Sequence, residues 1–181
     1  MNPLDLIRKY YPQDSLAYRI LVEHSQRVTE KALRIAHRLG RDELDLQFLE
    51  EAAMLHDIGI FYTHEPQIGC HGTHPYVCHG YLGRELLEKE GLPRHAIVCE
   101  THVGVGITRD EIEQHGMPLP LRDMLPRTLE EKLIAYADKF FTKNPERLSE
   151  EKSPEAIRRR LAKYGPQKIA VFDEWHQMFG E

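Results

Sequence analysis

Cysteine is scarce: three thiols, Cys70, Cys78 and Cys99, in 181 residues. So small and odd a count writes no disulfide framework and leads us to expect reduced thiols in a cytoplasmic protein. Long apolar runs are missing: no stretch approaches the roughly 18 residues of a membrane-spanning helix. The opening Met1-Asn2-Pro3-Leu4-Asp5 lacks the basic and apolar regions of a signal peptide. Positive charge is in deficit, 24 Lys and Arg against 29 Asp and Glu, for a formal net charge of −5. That balance argues against a nucleic-acid polymer as partner, because non-specific binding needs clustered cations. A small phosphorylated molecule held by a few local cations stays compatible. Repeats, linkers and low-complexity tracts are absent, so residues 1–181 read as one domain. Its core covers about 15–145, with C-terminal helices near 153–179 packed on it. No run alternates apolar and polar residues between hairpin turns, which leaves an all-α fold as the expectation.

The apolar residues that are present recur at helical spacing. From Asp14 to Leu39, Leu16, Ile20, His24, Val28, Ile35 and Leu39 fall three or four apart, and Gly40 supplies a C-cap. A second helix is expected from an N-cap at Asp42 through Leu46, Leu49 and Ala53 to His56, ending before Gly59. Ile60 to Pro75, rich in Gly, Pro, Thr and His, reads as a long loop, a length more often functional than idle. Helical pattern resumes over Tyr76–Glu90, again from Pro93 to His102, and from the Thr128-Leu-Glu-Glu131 capping box through Phe140. Met117–Pro126, with three prolines, is a further loop. Ser153-Pro154 opens another helix, and Gly165-Pro166 separates it from a last one ending near Phe179.

Histidine is in excess, with 11 in the chain. His24 and His56 lie on apolar stripes, with Asp57 beside His56. His79 falls in the first turns of the third long helix and His102 in the last turn of the next. Asp138 lies among Ile134, Ala135, Ala137 and Phe141. A lone histidine on an apolar face is usually a satisfied core residue. An aspartate there is more telling, since a buried carboxylate normally pairs or binds a cation. Together these positions favour a metal site.

The ordered set Glu23-His24-Ser25, Leu55-His56-Asp57-Ile58-Gly59, His79-Gly80, Thr101-His102 and Ala137-Asp138-Lys139 resembles the HD-domain superfamily of metal-dependent phosphohydrolases. The likeness covers roughly residues 15–145 and includes the His-Asp-Ile-Gly form of that family's central motif. It implies that His24, His56, Asp57 and Asp138 hold one metal. His79 and His102 would hold a second, with Asp57 bridging. Imidazole and carboxylate suit iron or manganese, with zinc, cobalt or nickel as alternatives. Two such ions about 3.5–4 Å apart generate a bound hydroxide and clamp a phosphoryl group for in-line attack. The resemblance thus implies a hydrolase of a small phosphoester, with a nucleotide or dinucleoside polyphosphate as the favoured substrate. The pattern is also similar to that of bacterial dinucleoside-tetraphosphate hydrolases of the superfamily. Two rivals share the ligand set: a mixed-valent di-iron oxygenase and a non-catalytic nucleotide sensor.

Phosphate needs further cations. Asp57 and Lys139 are placed at the chemistry, and Arg27, Lys139 and Arg109 are candidates for the substrate, with Arg122 also near the loops. The Arg158-Arg159-Arg160 run reads as a solvated helix end. Cys70, His71, His74, Cys78 and His79 invite a structural zinc site, but cysteines eight apart without a second pair fit it poorly. His64, His71 and His74 would instead face substrate from a loop over the pocket, and His95 would pack beside His102. No carboxylate stands out as general acid. Homodimerisation is left open, as no exposed apolar stripe argues for it.

Overall fold

A computed structural model describes residues 1–180. Among them, nine α-helices carry the fold and the only sheet is a two-stranded antiparallel pair. The chain is all-α, as its pattern predicts. It begins with α1 (Pro3–Tyr10), whose Asn2 side chain caps the Leu4 amide, a helix not anticipated from the sequence. In α2 (Leu16–Leu39) the Ser15 hydroxyl accepts from Tyr18 N, and Gly40 ends it in the left-handed region at φ +58°, where a glycine avoids the Cβ penalty. The cap of α3 (Leu46–Leu55) is Asp45, not Asp42: its carboxylate accepts from Phe48 N.

Ile60 to Pro75 is more ordered than a plain loop. A 3-10 turn over Ile58–Tyr62 leads into β1 (His64–Glu65), which pairs with β2 (Cys70–His71) in the register His64–His71 and Glu65–Cys70. Then come α4 (His79–Lys89), α5 (Pro93–Thr101), α6 (Arg109–His115), α7 (Leu129–Lys139), α8 (Pro154–Leu161) and α9 (Pro166–Phe179). The unanticipated α6 starts from a full capping box: the Thr108 hydroxyl accepts from Glu111 N at 3.2 Å, and the Glu111 carboxylate accepts from Thr108 N at 2.8 Å. At α7 the reciprocal half of the expected box is displaced: Thr128 still caps Glu131 N, but the Glu131 carboxylate accepts from Arg127 N at 2.6 Å.

The apolar interior forms two clusters. One gathers Val28, Ile35, Leu49 and Leu133 with Phe172 and Phe179 of α9; the other gathers Ile7, Ile20, Leu55, Ile58, Leu87 and Cys99. Each fully buried side chain of this size contributes about 1.5–3 kcal/mol relative to exposure. On α2 the change of cluster falls at His24, between Leu21 and Val28, and on α3 between Ala53 and Met54, just ahead of His56. A seam between two hydrophobic masses therefore carries the polar residues. No helix among the described residues is long and apolar enough to cross a membrane.

Candidate metal centre

Five helices or their ends deliver six ligand-type side chains to this seam. His24 comes from the middle of α2, and His79 opens α4. His56 and His102 are the C-caps of α3 and α5, and Asp138 lies in the last turn of α7. Consecutive residues of a helix point 100° apart, yet His56 and Asp57 both face inward. The chain achieves this by leaving the helix at Asp57, whose φ −108° and ψ 10° lie in the bridge region. Gly59 makes the next contact: a Cβ there would lie 2.3 Å from His79 O and 2.6 Å from Gly83 N. Only glycine lets the segment after Asp57 press against α4 and bring the carboxylate to His79.

Asp57 stands between two groups of histidines. Asp57 Oδ2 lies 3.1 Å from His24 Nε2 and 3.0 Å from His56 Nε2. Its Oδ1 lies 3.3 Å from both His79 Nε2 and His102 Nε2. Asp138 Oδ1 closes the first group, 3.0 Å from His24 Nε2 and 3.5 Å from His56 Nε2. All six are buried, Asp57 completely. They fall into two overlapping clusters of metal-binding geometry, His24-His56-Asp57-Asp138 and Asp57-His79-His102.

Hydrogen bonding fixes which ring atoms face the centre. Nδ1 of His56, His79 and His102 lies 2.7, 2.6 and 2.7 Å from the carbonyl three residues earlier, of Ala53, Tyr76 and Cys99. A ring nitrogen facing a carbonyl must donate, so the neutral imidazole leaves Nε2 bare. His79 and His102 then face each other with two bare Nε2 atoms 3.2 Å apart, an arrangement that repels unless a cation lies beside both. His56 Nε2 and both Asp57 oxygens are buried without a hydrogen-bond partner. Such orphaned groups are expensive, and together they form a donor set that divalent transition ions satisfy. Anchoring the far ring nitrogen on a carbonyl is how metal-binding imidazoles are commonly oriented.

Within the chain itself, the charges of the centre answer one another, His56 taking a proton on the Nε2 that a metal would displace. Burial alone would raise the Asp57 carboxyl, but Lys143 and His56 hold it well below the usual range. Burial opposes a charge on His56 too, yet Asp57 outweighs it and pushes the ring up to about 9. His102, with the same burial and weaker support, is pushed down to about 4. The two carboxylates of the centre are thus held ionised by the cations around them, Asp57 by Lys143 and His56 and Asp138 by Lys139.

A cavity of about 950 Å³ opens onto His79, His102 and Asp138. Lys139 lines it, 2.8 Å from Asp138 Oδ2. Arg27 does not: it pairs with Glu30 at 3.6 Å on the outer face of α2, because three residues of helix turn it away from His24. Arg109 is exposed at the start of α6 and lies off the lining as well. Arg122 is committed to the buried Glu100, with contacts of 3.0 and 2.5 Å. The hairpin turns Glu65, Gln67 and Ile68 to the cavity in place of His64, His71 and His74. His95 bonds Glu51 at 3.2 Å, and among the described residues no cysteine joins a ligand cluster.

Four cations of the cavity escaped the sequence reading: Lys143, Arg160, Lys163 and Lys168. Lys143 Nζ lies 2.5 Å from Asp57 Oδ2, as an ion pair and not a directed hydrogen bond. It sits just beyond α7, one helical turn's count after Lys139, and that spacing was the only available hint. Arg160, assigned to a solvated run, lines the cavity.

Comparison with known proteins agrees with this architecture. The HD domain family model matches residues 21–143, more than half of the chain. An uncharacterized protein of Methanocaldococcus jannaschii is 37% identical over 131 residues, covering 70% of this chain and 70% of the relative. Two proteins named tRNA (cytidine(56)-2'-O)-methyltransferase are 30% identical. That of Picrophilus torridus aligns over 140 residues, 72% of this chain and 36% of the relative; that of Thermoplasma volcanium over 139, 76% and 35%. The chain thus spans about a third of each methyltransferase. No solved structure matches. The chain belongs to the HD-domain family, a superfamily of metal-dependent hydrolase type.

Proposed function

From that membership we propose that the chain is a metal-dependent phosphohydrolase acting on a small phosphoester, a nucleotide or dinucleoside polyphosphate being the favoured substrate. The observation that carries the reading is the cavity over the His/Asp centre. Lys139, Lys143, Arg160, Lys163 and Lys168 all line it in a protein whose net charge is −5. Cations gathered against the overall balance favour an anionic ligand at this one place.

His24, His56, Asp57 and Asp138 would hold one ion, and His79 and His102 a second, sharing Asp57. When bound, the ions supply Lewis-acid polarisation of a phosphoryl oxygen and an activated water at neutral pH. The remaining work belongs to the chain. Asp57, with one oxygen toward each histidine pair, would be shared by the two ions and hold them together. Lys139, 3.3 Å from His102 O and 2.8 Å from Asp138, is placed to neutralise charge on the phosphoryl group and to donate a proton to the leaving oxygen. Lys143 guards Asp57 from the cavity side, where it can turn to a substrate phosphate once the carboxylate has other partners. Val103, Val105, Ile107 and Phe141 supply an apolar wall that keeps water from competing at the reacting centre.

The methyltransferase relatives do not bring methyl transfer into this reading, since the chain aligns with only about a third of them. The test is product release from a panel of nucleotides and dinucleoside polyphosphates, run anaerobically with Mn²⁺ or Fe²⁺ and with Asp57→Ala as blank. Metal-dependent turnover absent from the variant is the expected result. Oxygen uptake by the iron-loaded protein without phosphate release would overturn the reading in favour of a di-iron oxygenase.

A further inference from the structure

The five cavity cations are not equivalent. Lys139 faces Asp138 and Lys143 faces Asp57. Lys168 is spent on Glu111 and on Gly106 O, both at 2.7 Å. Arg160 and Lys163 have no acidic group within ion-pair distance among the described residues, and both are exposed at the rim. Both line the cavity, Arg160 from α8 and Lys163 from its 3-10 extension, Ala162–Tyr164. Tyr164, 61% exposed, lines the cavity next to them. This rim is held firmly: Ile157 and Leu161 are buried beneath it, and the Lys168 contacts tie α9 to α6 and to the Gly104–Gly106 turn that follows His102. Arg160, Lys163 and Tyr164 lie beyond residue 143, outside the stretch that the HD domain family model matches.

We propose that Arg160 and Lys163 form a second phosphate subsite. The preferred substrate then carries one phosphoryl group at the buried His/Asp floor and a second phosphate at the rim, joined by a body lying on the apolar wall and under the Tyr164 ring. The inference rests on the hydrolase reading and deepens it: Arg160 and Lys163, two of the five cations counted there, are given a phosphate of their own. A cavity of about 950 Å³ is at the upper end of the roughly 300–1,000 Å³ usual for small-molecule sites, room for more than one phosphate ester. Arginine's planar fork matches a phosphate with two parallel hydrogen bonds.

A length ladder of alkane-α,ω-diol bisphosphates, each compared with the alkyl monophosphate of the same chain, tests this without presuming the span. Dissociation constants are measured by calorimetry on the Mn²⁺-loaded protein and on Arg160→Ala/Lys163→Ala, a change of two exposed side chains. The expected result is a bisphosphate preference of about tenfold at one chain length, abolished in the double variant because bisphosphate affinity falls to that of the monophosphate. Equal binding of the two series, a preference that survives in the variant, or no binding of either series overturns the subsite. Hydrolysis of an aryl phosphate monoester by the same samples separates the two claims. Turnover without the preference removes only the subsite; the preference without turnover removes only the hydrolase.

Discussion

Two buried carboxylates, Glu100 and Asp57, sit on opposite sides of the line between structure and function. Glu100 is 2% exposed and fully answered: Arg84 reaches one oxygen at 2.5 Å, and Arg122 reaches the other at 3.0 and 2.5 Å. Asp57 is completely buried, and neither oxygen has a hydrogen bond. The first cluster closes on itself, since two part-exposed guanidiniums bring the compensating charge and donors. The second has one internal cation, Lys143 at 2.5 Å from Oδ2, but lacks hydrogen-bond donors, because three of its four imidazoles have spent theirs on a backbone carbonyl. A buried polar cluster that is complete reads as scaffold, and one complete only with a cation reads as a site.

The sharpest way to break this contrast is Asp57→Asn. It keeps the shape and removes the bridging charge, so bound metal should fall from about two ions per chain to none and turnover by at least about a thousandfold, the scale on which metal-activated chemistry is lost. Circular dichroism should still report a helical protein. His79→Ala is the next largest. It should lower the count from about two ions to about one, as two of three ligands of the second cluster do not suffice; an unchanged count would mean that cluster holds no ion.

Glu100→Ala tests the other side of the comparison. Losing the answered carboxylate should cost about 1–3 kcal/mol of stability, read as a lower denaturant midpoint, while metal content stays the same. Lys139→Ala should weaken phosphoester binding by about tenfold, the loss of one charge-assisted contact, without releasing metal. Smallest of all, Arg27→Ala on the outer face of α2 should leave both affinity and metal content unchanged.

The ligand residues were legible because each sits in a helix or at its end, where an apolar stripe marks which side is buried. His24 between Ile20 and Val28, and Asp138 among Ile134, Ala137 and Phe141, stand out for that reason. Arg27 misled because three residues along a helix share a stripe only loosely, and α2 turns it outward to Glu30. Lys143 could not be found this way. It lies in irregular chain, and its partner Asp57 is 86 residues away in sequence, so no local period records the contact. Arg160 was hidden in a run of three arginines, where only tertiary packing of α8 selects the one that faces the cavity. The missed α6 differs again, for its Thr108-to-Glu111 box was readable and was masked by the glycine-rich approach before it.

The most direct measurement is elemental analysis of the protein after anaerobic reconstitution with Mn²⁺ and removal of free ion, wild type beside Asp57→Asn. The account predicts about two ions per chain, as expected for a two-metal site, and none in the variant. Fewer than one ion in the wild type, or equal content in both, would contradict it.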